Sequence, residues 1–163
     1  MNQPLSSQQR VEAALAAAGI AIEMKVFPAG TRTAADAAAA IGCTVAEIAK
    51  SIVLQAKASD RVVLVVTSGS NRVDEARVTA LLGEPVSRAD ADFVRRKTGF
   101  AIGGVAPVGH LESPAILIDR DLLQFEHVWA AGGTSDSVFR LTPAELQAVT
   151  GAPVCDIKQE QQP

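Results

Sequence analysis

Apolar residues recur at helical spacing at Val11, Leu15 and Ala18, behind a Ser6/Gln9 pair and ahead of Gly19. A serine followed three residues later by glutamine is spaced as a capping box, so a first helix is predicted here. The period then changes to two. Ile20, Ile22, Met24 and Val26 alternate with polar or small residues, which predicts a half-buried strand over 20–27. Thr33-Ala34-Ala35-Asp36 opens a second helix that runs to Ile41 and closes at Gly42. Thr44-Val45-Ala46-Glu47 is another capping box and predicts a short helix ending near Lys50. A hairpin follows, with strands over 51–56 and 61–67 joined by a turn over 57–60. The second strand (RVVLVVT) is the most apolar segment and is read as central. Positions 71–82 are helical in pattern with Gly83 as the stop, and Asp90 caps a helix over 91–97 that stops at Gly99. Strands are predicted at 115–119, 126–131 and 137–141. Thr142-Pro143-Ala144-Glu145 then joins a capping box to a proline at the first helical position, opening a last helix that ends at Gly151. Positions 1–6 and 158–163 are expected to be flexible.

Helices interspersed with hairpin-like strand pairs, rather than strict βαβ alternation, predict an α+β fold: one compact domain over 1–163 with a mixed sheet flanked by helices. Neither GxGxxG nor GxxxxGK[ST] occurs, which argues against a doubly wound nucleotide fold. The 163 residues are 48% hydrophobic, enough for one sizeable core. No apolar run approaches the ~20 residues of a membrane span, and MNQPLSSQQR lacks the basic start and apolar stretch of a signal peptide. A cytoplasmic protein is therefore expected. Cys43 and Cys155 stand apart and the two histidines are His110 and His127, so no disulfide framework, metal or cofactor is expected. A net charge of −3 argues against a broad grip on nucleic acid but leaves room for contact with a nucleic-acid end. Arg88, Arg95, Arg96 and Lys97 form the densest basic cluster, read either as a solvated face or as a small binding patch.

The stretch Gly99-Phe100-Ala101-Ile102-Gly103-Gly104-Val105-Ala106-Pro107-Val108-Gly109-His110 holds four glycines but little side-chain chemistry. Glycine lets main-chain N–H groups approach a ligand closely, and such donors suit a carbonyl oxygen or a phosphate. The alternative is a Gly/Pro surface turn. Lys50 is either a cation favourably placed at a helix C-terminus or a point charge for a phosphate or carboxylate, with Ser51 beside it as a hydrogen-bonding group. Gly132-Gly133-Thr134-Ser135-Asp136 reads as a hairpin turn, or as polar groups set over a pocket floored by the first glycine loop. In the second reading Asp136 binds a hydroxyl or amino group, or orients a water. No Ser-His-Asp set is apparent, and no serine sits in a GxSxG elbow.

In order along the chain, Thr44-Val45-Ala46-Glu47-Ile48-Ala49-Lys50-Ser51-Ile52-Val53, Gly103-Gly104-Val105-Ala106-Pro107-Val108-Gly109, and Ala131-Gly132-Gly133 before Phe139-Arg140-Leu141-Thr142-Pro143 resemble the YbaK-type aminoacyl-tRNA deacylases. These are relatives of the editing domain inserted in bacterial prolyl-tRNA synthetase. The resemblance implies a compact α+β domain with a mixed, strongly curved sheet. It also implies hydrolysis of the ester joining a wrong amino acid to the terminal adenosine of tRNA, without a cofactor. By the same resemblance Lys50 contacts the phosphate of that adenosine. Gly103 to Pro107 matches the GxxxP loop whose amides hold the substrate carbonyl, which makes Lys50, Gly103 and Gly104 the catalytic candidates. Ser51, Val105, Pro107, Gly132, Gly133 and Asp136 are the substrate-binding candidates. The expected partners are the acceptor end of an aminoacyl-tRNA and prolyl-tRNA synthetase. Val138 stands where some relatives carry an aspartate, and Asp136 lies two residues earlier. A wall rich in alanine and valine suits alanine, serine, threonine or cysteine, on tRNA(Pro). The competing expectation is a silent module that binds aminoacyl-adenosine or a partner synthetase without turnover.

Overall fold

The computed structural model describes residues 4–28, 30–31 and 33–160. Its helices begin where the capping signals lie, because each cap satisfies amides that a first turn leaves free. Helix α1 (Ser7–Ala17) opens with the reciprocal pair: Gln9 N–H donates to Ser6 Oγ at 3.2 Å and Ser6 N–H to Gln9 Oε1 at 2.9 Å. Thr33 caps α2 (Ala34–Ile41), whose end is Gly42. Helix α3 (Glu75–Leu82) starts four residues later than expected, because Asp74 rather than Asn71 accepts the first amides, those of Ala76 and Arg77. Asp90 caps α4 (Ala91–Thr98), and the Thr142/Glu145 box caps α5 (Pro143–Thr150).

Among the described residues eight strands form one open, mixed sheet. They are β1 (Met24–Val26), β2 (Ile48–Ala56), β3 (Arg61–Ser68), β4 (Ser87–Arg88), β5 (Ala115–Asp119), β6 (Val128–Ala131), β7 (Ser137–Leu141) and β8 (Val154–Cys155). Their order is β1-β7-β6-β2-β3-β5-β8, with β4 beside β2. β2/β3, β2/β4, β6/β7 and β1/β7 run antiparallel, whereas β2/β6, β3/β5 and β5/β8 run parallel. The expected α+β class and mixed sheet are as read. β3 lies inside the sheet and is buried from Val62 to Ser68. One face of the sheet packs on Val11 and Leu15 of α1, Phe93 and Val94 of α4 and Leu146 of α5. The other face packs on Val78 of α3 and Ile157, and a small cluster sits under Ala37 and Ala38 of α2.

Three expectations need correction. The first strand is three residues long rather than eight, since β7 pairs only with Met24, Lys25 and Val26; Ile20 and Ile22 pack on the core without joining the ladder. The short helix after Thr44 is a single 3-10 turn, Val45–Glu47. Ile48 is already extended, because Gly69 N–H meets its carbonyl on one side and Trp129 of β6 pairs with it on the other. Lys50 therefore sits in a strand and not at a helix end. The tail is held as far as Gln159: Lys158 bridges to Val73, and Gln159 N–H donates to Arg72 C=O at 2.8 Å. Positions 1–3 and 161–163 of the expected loose ends lie outside the described residues. No helix among the described residues is long and apolar enough to cross a membrane.

Candidate functional site

A gap in the sheet makes the site. β2 pairs with β6 at Ile48 and Ala49 and with β4 at Leu54 and Gln55, leaving 50–53 without a strand on that edge. The carbonyl of Ile48 is taken from the β3 side by Gly69 N–H, and that of Val53 from the open side by Ala89 N–H. Main-chain groups alternate sides along a strand, so the N–H and C=O of Ser51 face the gap. The Ser51 hydroxyl is buried and has no hydrogen-bond partner among the described residues. A buried, unsatisfied hydroxyl is costly, and a ligand is one way to satisfy it.

A narrow cleft of about 70 Å³ opens at this gap. Its walls are Ile48, Ala49, Lys50 and Ser51 of β2, Trp129 to Ala131 of β6 and Val138 of β7. Thr31, Thr33, Ala34 and Ala37 close one side, and Gly103 and Val105 of the glycine loop close the other. Next to it, a second hollow shares Ser51, Gly103 and Val105 and reaches Arg88. Four of the expected site residues, Lys50, Ser51, Gly103 and Val105, therefore meet in one place although the chain separates the two pairs by about fifty positions. Among the described residues the cleft is lined by no histidine, cysteine, aspartate or glutamate. No group of three such side chains anywhere in the described residues could hold a metal ion.

Lys50 is half-buried and has no carboxylate within 4 Å among the described residues; its Nζ donates to the Asn71 carbonyl at 3.4 Å. Burial pushes its pKa below the usual lysine range, and the positive charges of Arg88 and Arg72 push it the same way. This is a cation short of counter-charge. In the glycine loop Gly104 N–H already donates to Ala101 C=O at 2.9 Å. The amides of Gly103 and Val105, two residues that line the cleft, have no acceptor among the described residues. Gly103 sits at φ 92°, a conformation open to glycine at little strain.

The other candidates are placed elsewhere. Gly104 lies where the two glycine loops touch: a Cβ there would stand 2.7 Å from the Thr134 carbonyl carbon and 3.0 Å from Ser135 N. Gly132 packs against Met24 and Ser137, and Gly133 against the main chain of Ser7. Pro107 lines a different hollow, with His110 and residues of α1 and α5. His110 is structural, edge-on to Phe100 with its Nε2 2.6 Å from Ala106 O. The Asp136 carboxylate accepts from Thr134 Oγ1 at 2.7 Å, within its own turn and away from the cleft wall. Val138, 3% exposed, instead presents an apolar side chain to the cleft. The sequence reading missed Thr31 and Trp129. Thr31 is fastened to the second glycine loop through its N–H to Ser135 C=O at 2.8 Å. Lys25 Nζ lies over the Trp129 ring at 5.3 Å.

The contact between loops yields a stability prediction. Gly104→Ala forces main chain against main chain, an overpacking change of about 1–3 kcal/mol. Thermal unfolding should fall by roughly 3–10 °C; an unchanged melting temperature would mean that the two loops are not in contact.

Fold and cleft together define an editing-type domain. The family model described as aminoacyl-tRNA editing domain matches residues 28–149, and the chain belongs to that family. Among solved structures it is similar to one described as a proposed trans-editing enzyme for prolyl tRNA synthetase. That likeness has 44% identity and a TM-score of 0.88, covering 97% of this chain and all of that one. It is 32% identical over 120 residues to the uncharacterized protein YwhH of Bacillus subtilis (strain 168), covering 74% of this chain and 76% of YwhH. A 25% identity over 115 residues links it to the proline--tRNA ligase of Thermoanaerobacter sp. (strain X514), 69% of this chain but 20% of the ligase. The YbaK-type likeness read from the motifs holds.

Proposed function

We propose that this chain hydrolyses the ester of a small, wrongly attached amino acid on tRNA, with alanine, serine, threonine or cysteine on tRNA(Pro) as the substrate class. The observation that carries this reading is the cleft itself. Its lining includes Ser51, whose hydroxyl is orphaned, Gly103 and Val105 of the glycine loop, and Lys50, a cation with no carboxylate within 4 Å among the described residues, together with alanine and valine walls. The amides fit an ester carbonyl whose oxygen gains negative charge in the transition state. Lys50 fits the phosphate of the terminal adenosine, and Ser51 a hydroxyl or amino group of the substrate. Water adds to the carbonyl carbon, and the bond to the ribose oxygen breaks. That oxygen leaves with the electron pair and takes a proton, giving free amino acid and uncharged tRNA. An ester asks less acceleration than an amide, so positioning and oxyanion stabilisation suffice without a side-chain nucleophile. The likeness to proline--tRNA ligase supports work alongside that synthetase, in the cytoplasm where translation runs.

Incubation with tRNA(Pro) charged separately with alanine, serine, threonine, cysteine and proline tests this. Release of one or two noncognate amino acids, with prolyl-tRNA(Pro) left intact, is expected; release of none, or of proline alone, contradicts the reading. The second reading, binding of an aminoacyl-adenosine without turnover, is favoured by Val138 and by the lack of a histidine, cysteine or carboxylate among the described residues of the cleft wall.

The lowered pKa of Lys50 adds a pH signature. The ammonium form binds phosphate, and it is lost as pH rises through the folded value, which lies below the ordinary 10.5. Enzyme-dependent kcat/KM should therefore fall on the alkaline side before pH 10.5 once the uncatalysed rate is subtracted, and Lys50→Arg should flatten that limb. Stability moves oppositely. The folded state binds fewer protons at this group than the unfolded chain, so its contribution to stability rises with pH across the same window. An alkaline limb that survives Lys50→Arg unchanged would assign it to another group.

A further inference from the structure

The Lys50 ammonium has one hydrogen-bond partner among the described residues, and it is a main-chain carbonyl, that of Asn71. A lysine ends in a point charge on a flexible stem and takes its direction from what it touches. The placement of the Asn71 carbonyl therefore sets the placement of the charge. Asn71 lies in the irregular 69–74 loop between β3 and α3, where the sequence pattern suggested helix. That loop is fastened from beneath by Asp119 at the end of β5, which is 1% exposed. Asp119 Oδ2 accepts from Thr67 Oγ1 at 2.9 Å, Ser68 N–H at 3.0 Å and Asn71 Nδ2 at 2.8 Å, while Oδ1 accepts from Asp121 N–H at 3.0 Å. Asn71 Nδ2 also donates to Asp121 Oδ2 at 2.8 Å, and Lys158 Nζ holds the same oxygen at 2.8 Å.

The carboxylate of Asp119 has no cationic side chain within 4 Å among the described residues, and three of its four bonds go to the strand end and loop that carry Asn71. Thr67 is the cross-strand neighbour of Lys50, and its hydroxyl donates to Asp119. We infer that Asn71 and Asp119 are positioning residues: Asp119 fixes the loop, and the loop's Asn71 carbonyl aims the Lys50 ammonium at the cleft. The inference rests on the proposed role of Lys50, and it assigns a task to a buried carboxylate that the cleft itself does not use.

Asn71→Ala is the variant to use, since it leaves Asp119 and its other bonds in place. A double-mutant cycle separates positioning from simple destabilisation. Asn71→Ala should lower kcat/KM on mischarged tRNA roughly five-fold, the size of one hydrogen bond, in the wild-type background. In the Lys50→Ala background it should lower it less than about two-fold, because the group it aims is gone. Equal losses in both backgrounds would overturn the inference. The second readout needs no activity. In protein labelled at the lysine ε-carbon, the NMR titration midpoint of Lys50 should differ between wild type and Asn71→Ala; an unmoved midpoint would overturn the inference as well. A moved midpoint in a protein that hydrolyses no ester would refute the proposed reaction and leave the positioning intact.

Discussion

Lys50→Ala should lower kcat/KM for release of a noncognate amino acid by roughly ten- to 150-fold while leaving the fold intact. The range follows from a hydrogen bond to a charged group, about 1.5–3 kcal/mol, converted to rate. The group is half-buried and lacks a carboxylate partner within 4 Å among the described residues, so its removal uncovers no opposite charge. Its cross-strand neighbour Thr67 keeps its bond to Asp119. Melting temperature should stay within a few degrees of wild type, and Lys50→Arg should restore part of the rate. A rate within two-fold of wild type would remove Lys50 from the site.

Asp119→Ala should have the largest effect on stability, about 3 kcal/mol or more. The substitution takes the acceptor from Thr67 Oγ1, Ser68 N–H and Asp121 N–H, and one of two acceptors from Asn71 Nδ2. Thr67 and Ser68 are 0% and 1% exposed, so water cannot replace the lost partner without opening the sheet. Each buried donor left unsatisfied costs roughly 1–3 kcal/mol. A drop of about 10 °C in thermal unfolding is expected. Asp119→Asn, which keeps one acceptor oxygen, should lose less. A melting temperature unchanged in Asp119→Ala would mean that the loop is held by other contacts.

Much of the helical frame was legible because capping is local. Ser6/Gln9, Thr33, Asp90 and Thr142/Glu145 each act within four residues, and the helices start where they stand. Strands are decided by partners far along the chain, and there the reading failed. Ile20 and Ile22 have the right alternation for a strand but no neighbour to pair with. The Thr44/Glu47 box does form, yet the sheet claims Ile48 and allows only a 3-10 turn. The helical pattern at 71–74 yields to Asp119, which holds Asn71 through its side chain.

At the site, glycine content drew attention to the loop, but its alternative as a surface turn and that of Lys50 as a helix-end cation stayed open until the motif resemblance singled both out. Which glycine faces the ligand could not be read, since the same residue type also lets two backbones touch. Gly103 lines the cleft while its neighbour Gly104 meets Thr134. The orphaned hydroxyl of Ser51 follows from a gap between β6 and β4 that exists only once both have docked on β2. Thr31 and Trp129 come from segments with no motif of their own, and only the folded sheet brings them to the cleft.

The proposed reaction requires that this cleft turn over an aminoacyl ester rather than merely hold it. The most direct test takes one preparation of wild-type protein and measures two quantities on it: ester loss from alanyl- and seryl-tRNA(Pro), and affinity for an aminoacyl-adenosine analogue with an amide in place of the ester. Turnover of at least one charged tRNA, competitively inhibited by the analogue, is the expected result. Tight binding of the analogue with no ester loss above the uncatalysed rate would contradict it and make the chain a recognition module.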